Sequence, residues 1–501
     1  MVATGCESET VLGLGRGRQS KAAGLRPRSP WCDLYHFLAF SFLLLALTLA
    51  GGVSVAWADA GAPPAKTISA SPAAGDKAEE ALKKLPAVSD GVHLDDGGAH
   101  ATLSFDLSHP VDASAFVLTH PDRVVVDLPE VAFRIDPEAG NAAPVHRRGR
   151  RHSHSHATGF SGLIHSFRFG LFAAGKSRIV INIAGPVRII RAAAEPAAGD
   201  GKTKLVIELA KTDKASFEAA AHKAVLQAAT EPEPKPADLS SADAAGNLPV
   251  VVVDPGHGGI DSGAIVNGLL EKNIVLAFGK ELAAKLRATG RYKVVMTRDS
   301  DVFVPLGGRV RIARDAHAAL FVSIHADTLA SATSVSGATI YTMSEHASDA
   351  EAARTAEKEN QSDATAGVEG KSQPSRRVSD ILLDLTRQET RAYSHVFART
   401  LANYWKVAGR LNKNPERSAG FIVLTAPDVP SVLLELGYLS NVKDAKSLVS
   451  PEWRDATTSK VVAAVNAFFD SRGVTAAHPI PPGSIPAAAA TLDAAATGSV
   501  K

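Results

Sequence analysis

Apolar and polar positions alternate with a period of two between about residue 88 and residue 211. Leu103, Phe105 and Leu107 interleave with Thr102, Ser104 and Asp106, and further β-rich runs cover 123–128, 163–169, 178–183 and 205–209. Short alternating runs broken by Gly, Pro and Asp predict an all-β sandwich. An echo runs through it. Asp122-Arg123-Val124-Val125-Val126-Asp127-Leu128-Pro129 is repeated as Ser177-Arg178-Ile179-Val180-Ile181-Asn182-Ile183, with Pro186 beyond. The echo suggests two similar sheets.

From 248 to 472 the pattern changes. Continuous apolar runs at 250–253, 293–297, 320–324, 338–342, 421–424 and 432–434 predict buried strands. Helical spacing predicts helices over 272–289, 308–317, 394–407 and 453–469, with Gly290 closing the first of them. This alternation predicts an α/β domain with a largely parallel, twisted sheet flanked by helices. Such sheets place ligands beyond the carboxyl ends of their strands.

Composition frames these two blocks. Arg16, Arg18, Lys21, Arg26 and Arg28 precede an apolar run at 37–58, and Ala56, Ala58 and Ala60 offer A-x-A sites. That order reads as a signal peptide over 1–60, with an uncleaved anchor as the alternative. Export to the periplasm is the expectation. Both cysteines, Cys6 and Cys32, fall in this leader, so the mature chain would hold no disulfide. An Ala/Pro/Lys-rich stretch predicts a disordered spacer over 61–87, followed by the β-domain at 88–211. A linker at 212–247 contains Glu231-Pro232-Glu233-Pro234-Lys235-Pro236, and a Pro/Ala-rich tail spans 473–501. The net charge of +2 over 501 residues argues against nucleic acid as a partner. The tract between His146 and His156 is rich in Arg and His. It reads either as a solvated basic loop or as a weak contact to an anionic polymer.

Candidate chemistry gathers at predicted strand ends. His257 sits in Asp254-Pro255-Gly256-His257-Gly258-Gly259, directly after the first strand of the α/β block, and Glu271 opens the helix that follows. His325 ends the strand at 320–324, and Glu435 ends the one at 432–434. Two histidines and a carboxylate form a frequent ligand set for catalytic Zn²⁺, with one position open for water. Glu435 is then the candidate proton carrier. Each residue has a plainer reading: structural histidines, and a Glu435 salt bridge to an arginine.

The motifs Asp254-Pro255-Gly256-His257-Gly258-Gly259, Glu271-Lys272, Thr297-Arg298 with Asp301, Ser323-Ile324-His325-Ala326, and the run from Pro430 through Glu435 to Asn441 appear in order. Together they resemble the zinc-dependent N-acetylmuramoyl-L-alanine amidases of the Gram-negative cell-separation type. The resemblance covers about 248–472. Arg123 to Pro129 and Gly162 to Gly170 resemble the AMIN domain that precedes such enzymes and targets them to the envelope. The resemblance implies His257, Glu271 and His325 as zinc ligands and Glu435 as the catalytic glutamate. It also implies peptidoglycan as substrate, enrichment at the division septum and activation by an envelope partner. A monomer is expected. Asp327 departs from the family pattern, which has Asn after His-Ala.

Residues 343–392 are too long for a plain connection. The stretch 349–363 is acidic and helix-prone. The resembled amidases carry a regulatory helix here that plugs the zinc cleft. Glu357 and Glu359 are the candidates for occupying the open metal position, against a solvated surface helix as the alternative. Arg309, Arg311 and Arg314 read either as contacts to substrate carboxylates or, the preferred reading, as solvent-facing ion-pair residues. Two further readings stay open: a zinc carboxypeptidase on stem peptides, and a catalytically silent peptidoglycan-binding scaffold.

Overall fold

The computed structural model describes residues 85–141, 160, 162–196, 203–228, 248–329, 333–368 and 381–472. The leader, most of the spacer, the His/Arg tract, the Pro-rich stretch after 228 and the tail lie outside them. No helix among the described residues is long and apolar enough to cross a membrane.

Among the described residues nine strands fill the N-terminal region: β1 (Ala87–Asp96), β2 (His100–Leu107), β3 (Ser114–Leu118), β4 (Arg123–Pro129), β5 (Val131–Phe133), β6 (Ile164–Ala173), β7 (Lys176–Ile183), β8 (Val187–Pro196) and β9 (Thr203–Lys211). They form a five-stranded sheet, β5-β1-β2-β9-β8, and a four-stranded sheet, β3-β4-β7-β6. Period-two alternation turns Leu103, Phe105, Leu205 and Ile207 of one sheet toward Val124, Val126, Ile179 and Ile181 of the other. Phe105 meets Phe167 edge-on across the sheets, with ring centroids 6.1 Å apart.

Two expectations change here. The echoed motifs are neighbours in one sheet, not two copies of a sheet. β4 and β7 pair antiparallel, so Arg178 lies opposite Asp127 and Arg123 opposite Asn182. The stretch read as the start of a linker contains α1 (Lys214–Ala228). Its Phe217 and Ala221 are buried in the β-core, which gives an otherwise weakly amphipathic segment a reason to be helical.

The α/β region opens with β10 (Val250–Pro255), a small hairpin of β11 (Ile265–Val266) and β12 (Leu269–Leu270), and α2 (Glu271–Ala288). Then follow β13 (Lys293–Met296), α3 (Leu306–Asp315), β14 (Leu320–His325), β15 (Ala338–Met343), α4 (Ala350–Asn360), α5 (Ser362–Thr365) and α6 (Ile381–Trp405). The region ends with β16 (Leu411–Ala419), β17 (Ser431–Glu435), α7 (Val442–Leu448) and α8 (Pro451–Ser471).

Its six-stranded sheet has the order β13-β10-β14-β17-β15-β16. All pairs are parallel except β15 with β17. Val251 and Val253 face a core shared with α2, α6 and α8, while Val252 faces Leu306, Ala313 and Ala356 on the opposite side. Burial on both faces explains why these strands read as unbroken apolar runs.

Two elements differ from expectation. The stretch at 421–424 is not a strand; Ile422–Leu424 forms a 3-10 helix. The strand lies earlier, as β16, whose LNKNPERSA sequence has no apolar alternation because it is a sheet edge. The helix expected at 394–407 begins at Ile381, inside the stretch read as an insertion.

Candidate metal centre

β10, β14 and β17 are parallel neighbours, so their carboxyl ends share one rim. His325 is paired directly with Glu435, and Ile324 with Pro255. His257, His325 and Glu435 therefore leave the sheet side by side, and Glu271 reaches the same place from the start of α2. The structure brings all four sequence-predicted residues together.

Local geometry forces this placement. His257 has φ of +57°, a left-handed conformation uncommon outside glycine, though Asn, Asp and His adopt it more often than other side chains. It turns the imidazole back over the strand end. Gly256 before it has no room for a side chain, because a Cβ there would lie 2.4 Å from the His325 ring. The two imidazoles can thus sit with centroids 4.8 Å apart.

The donor atoms converge on a common point. His257 Nε2 is 3.2 Å from Glu271 Oε1 and 3.3 Å from Glu359 Oε2. His325 Nδ1 is 3.4 Å and 3.1 Å from the same two oxygens. Although these pairs are close, His257 Nε2 and His325 Nδ1 make no hydrogen bond of acceptable geometry and are buried. Buried nitrogens aimed together with carboxylates at one point, without hydrogen bonds between them, suit a cation held between them. Among the described residues, His257, His325 and Glu359 satisfy the spacing for metal binding, as do Asp327, Glu359 and Glu435 beside them.

The electrostatics agree. Burial pushes the His325 imidazole down, but the Glu359 and Glu271 carboxylates outweigh it and carry it up to about 10. His257 is likewise raised, because Glu271, Asp261 and Glu359 overcome its burial. The cavity therefore favours positive charge at its centre.

Neighbouring groups fix the donors. Asp261 Oδ2 lies 2.9 Å from His257 Nδ1. Donation from Nδ1 to this carboxylate leaves the Nε2 lone pair facing the centre. Backbone amides of Ala326 and Ala264 donate to the two Glu271 oxygens, each at 2.8 Å. Beneath them Asp254 accepts from Arg309 Nη1 (2.7 Å), Thr297 (2.5 Å) and Ser323 (2.7 Å). Arg309 also donates to the carbonyl of His257 at 2.7 Å. It is buried, contrary to the solvent-facing role expected. Arg314 does keep an exposed ion pair, with Asp428 at 3.0 Å.

Glu435 is fully buried, and among the described residues no arginine pairs with it. Its Oε2 accepts from the Asp327 amide at 3.1 Å, while Oε1 has no hydrogen-bond partner. Burial, and then the Asp327 carboxylate, hold its pKa well above the ordinary carboxylate range. Asp327 itself is pushed up to about 6 by burial, although the adjacent Lys358 ammonium pulls the other way.

The acidic stretch 349–363 forms α4 and α5. Asp349 caps α4 by accepting from the amides of Glu351 and Ala352. Ala352, Thr355, Ala356 and Glu359 form its buried face at helical spacing. Glu359 thus points at the two histidines. Glu357 lies on the exposed face, so of the two candidates only Glu359 reaches the centre. Lys358 pairs with Asp327. Asn360 accepts from the amide of Ile422 and donates to the carbonyl of Gly420, both at 2.8 Å. Ser362 donates to Asp261 at 2.5 Å.

Sequence reasoning missed Asp261, named Asp254 only as part of a motif with no role of its own, and put Arg309 on the surface. Asp261 carried one signal, an acidic residue in the same glycine-rich turn as His257.

A family profile described as N-acetylmuramoyl-L-alanine amidase (Amidase_3) matches residues 251–467. The N-acetylmuramoyl-L-alanine amidase AmiC of Escherichia coli O6:H1 is 31% identical over 369 residues, covering 71% of this chain and 83% of that protein. AmiA of E. coli K12 is 35% identical over 230 residues, covering 46% of this chain and 78% of that protein. Among solved structures, the amidase AmiC2 of Nostoc punctiforme is 29% identical, covers 45% of this chain and 99% of its own, and has a TM-score of 0.33.

Proposed function

The chain belongs to the N-acetylmuramoyl-L-alanine amidases, and from that premise we propose that it is a zinc-dependent hydrolase of the bond between N-acetylmuramic acid and L-alanine in peptidoglycan. The observation that carries the proposal is the convergence of His257 Nε2, His325 Nδ1 and Glu271 Oε1 on one buried point beside Glu435.

His257, Glu271 and His325 would hold the metal. Bound Zn²⁺ supplies a Lewis acid that polarises a carbonyl and acidifies water. Glu435 takes a proton from the attacking water as oxygen adds to the lactyl carbonyl carbon. It returns that proton to the L-alanine nitrogen as the carbon–nitrogen bond breaks. Burial suits Glu435 to this shuttle, since a raised carboxyl pKa lies closer to neutral operating pH. Asp261 and the amides of Ala264 and Ala326 keep the ligand side chains in place.

Glu359 acts as an internal plug. Its carboxylate occupies the position that a substrate or water would need, and Lys358 and Asn360 on either side tie it down. In this reading the enzyme rests closed until an envelope partner withdraws α4. The β-sandwich serves as an AMIN-type targeting domain, and the exported enzyme works in the periplasm at the division septum.

Digestion of purified sacculi tests the activity. Released peptides with free L-alanine amino termini are the expected product. Release of free D-alanine would instead indicate a carboxypeptidase.

A further inference from the structure

The echoed strands β4 and β7 have a use beyond the β-core. Leu118, Val125 and Val180 are buried together with Ile260 and Phe303 of the α/β region and with Ala366, just past α5. Phe172 stacks on Phe303 with centroids 5.9 Å apart, and the Ile260 amide donates to the carbonyl of Leu171 at 3.0 Å. The β-region therefore packs on the turn that carries His257 and on the end of the plug.

Two buried guanidinium groups, one from each echoed motif, grip that end. Arg178 donates through Nε and Nη2 to Asp127, at 2.6 Å and 3.0 Å. Its Nη1 donates to the carbonyls of Ala366 and Gly367, at 3.2 Å and 3.0 Å. The ring of Phe172 covers the guanidinium, 3.6 Å from ring centroid to carbon. From β4, Arg123 Nη2 reaches the carbonyl of Val368 at 3.4 Å. Carbonyls at a helix end have no partner within the helix, so these arginines satisfy groups that would otherwise need water. Gly367 fits only as glycine, with φ of +66°; a Cβ there would lie 2.9 Å from Val125 and 3.1 Å from Val180.

We propose that the β4–β7 face is a docking surface for residues 362–368 of this same chain, and that Arg178 and Arg123 are positioning residues that hold Glu359 in the cleft through α5. The inference rests on reading Glu359 as a plug. The chain from Glu359 to Val368 is then fixed at both ends: at the metal histidines and on the β-region. Ser362 on Asp261 and Asp363, which accepts from the Leu306 amide at 2.9 Å, fasten its middle. Opening the cleft requires the second anchor to give way as well as the first, so whatever lifts the β-region off this face favours the active state.

The test uses the full chain and two readouts: basal hydrolysis of sacculi, and amide hydrogen exchange across 350–368. Arg178→Ala is feasible because Lys176, 2.9 Å from Asp127, still partners that carboxylate. Gly367→Val breaks the same contact from the other side, should Arg178→Ala fail to fold. Glu359→Ala is the comparator that releases the metal end alone. Hydrogen bonds from a charged donor of this kind are worth about tenfold each in the opening equilibrium. Arg178→Ala and Gly367→Val should therefore exchange, and hydrolyse, about tenfold faster or more. If Glu359→Ala accelerates both readouts while a folded Arg178→Ala or Gly367→Val matches wild type, the docking proposal is overturned and the plug stands. If Glu359→Ala changes neither readout, the plug reading itself fails.

Discussion

Glu435 is fully buried at the end of β17, with one oxygen held by the Asp327 amide and the other unpartnered. An acid–base role depends on its charge, and the metal cradle does not. Glu435→Gln should lower hydrolysis by about 10²–10⁴-fold with bound metal unchanged, as read by sacculus digestion alongside metal analysis. Asp261 acts at one remove, since its carboxylate sets the tautomer of His257. Asp261→Ala should weaken zinc binding by about 10–100-fold, measured by competition with a chromogenic chelator. At this scale the sequence was legible where a polar residue breaks an apolar strand at its end, as His325 and Glu435 do, or in the turn just past it, as His257 does. Arg309 was misjudged because helical periodicity describes the helix's own faces. It says nothing of Asp254 on a strand across the core, whose charge draws the guanidinium inward.

The acidic stretch shows what length and composition can reveal about an element. Both pointed to a helix with a separate role, and α4 with α5 now places Glu359 on the histidines while Glu357 faces outward. The end of the stretch was not legible from composition. Polar positions such as Arg387 and Glu389 hid the fact that α6 starts at Ile381 and continues into core residues Phe397 and Leu401. A deletion meant to open the cleft should therefore remove 350–368 and spare α6. That protein should hydrolyse sacculi faster than wild type with no activator added. A folded deletant with unchanged activity counts against autoinhibition. Removal into 381–390 should instead cost stability, visible as a lower Tm.

At the scale of the whole molecule, the buried network under the centre links strands β10 and β14 to α3 through Asp254. Burial opposes its charge, but Arg309 and the hydroxyls of Thr297 and Ser323 outweigh that and hold its pKa below the ordinary value. A depressed carboxylate contributes stability that is present above its unfolded pKa of about 3.9 and lost as pH falls through its folded value. Thermal unfolding should therefore show a Tm that drops with acid below about pH 4. Asp254→Asn should be less stable at neutral pH and show a shallower acid slope. The division into a β-layered and an α/β half was legible because period two and unbroken apolar runs differ so plainly. Packing of one half on the other was not, because Arg123 and Arg178 resemble ordinary strand polars until the carbonyls of Ala366, Gly367 and Val368 are beside them.

The claim that joins these scales is that a zinc amidase rests with its own Glu359 in the cleft. Sacculus digestion by wild type, Glu359→Ala and the double variant Glu359→Ala with Glu435→Gln tests it most directly, with the released ends identified. The single variant should exceed wild type and release peptides with free L-alanine amino termini, and the double variant should be silent. A single variant no faster than wild type, or a double variant as active as the single, would contradict the account.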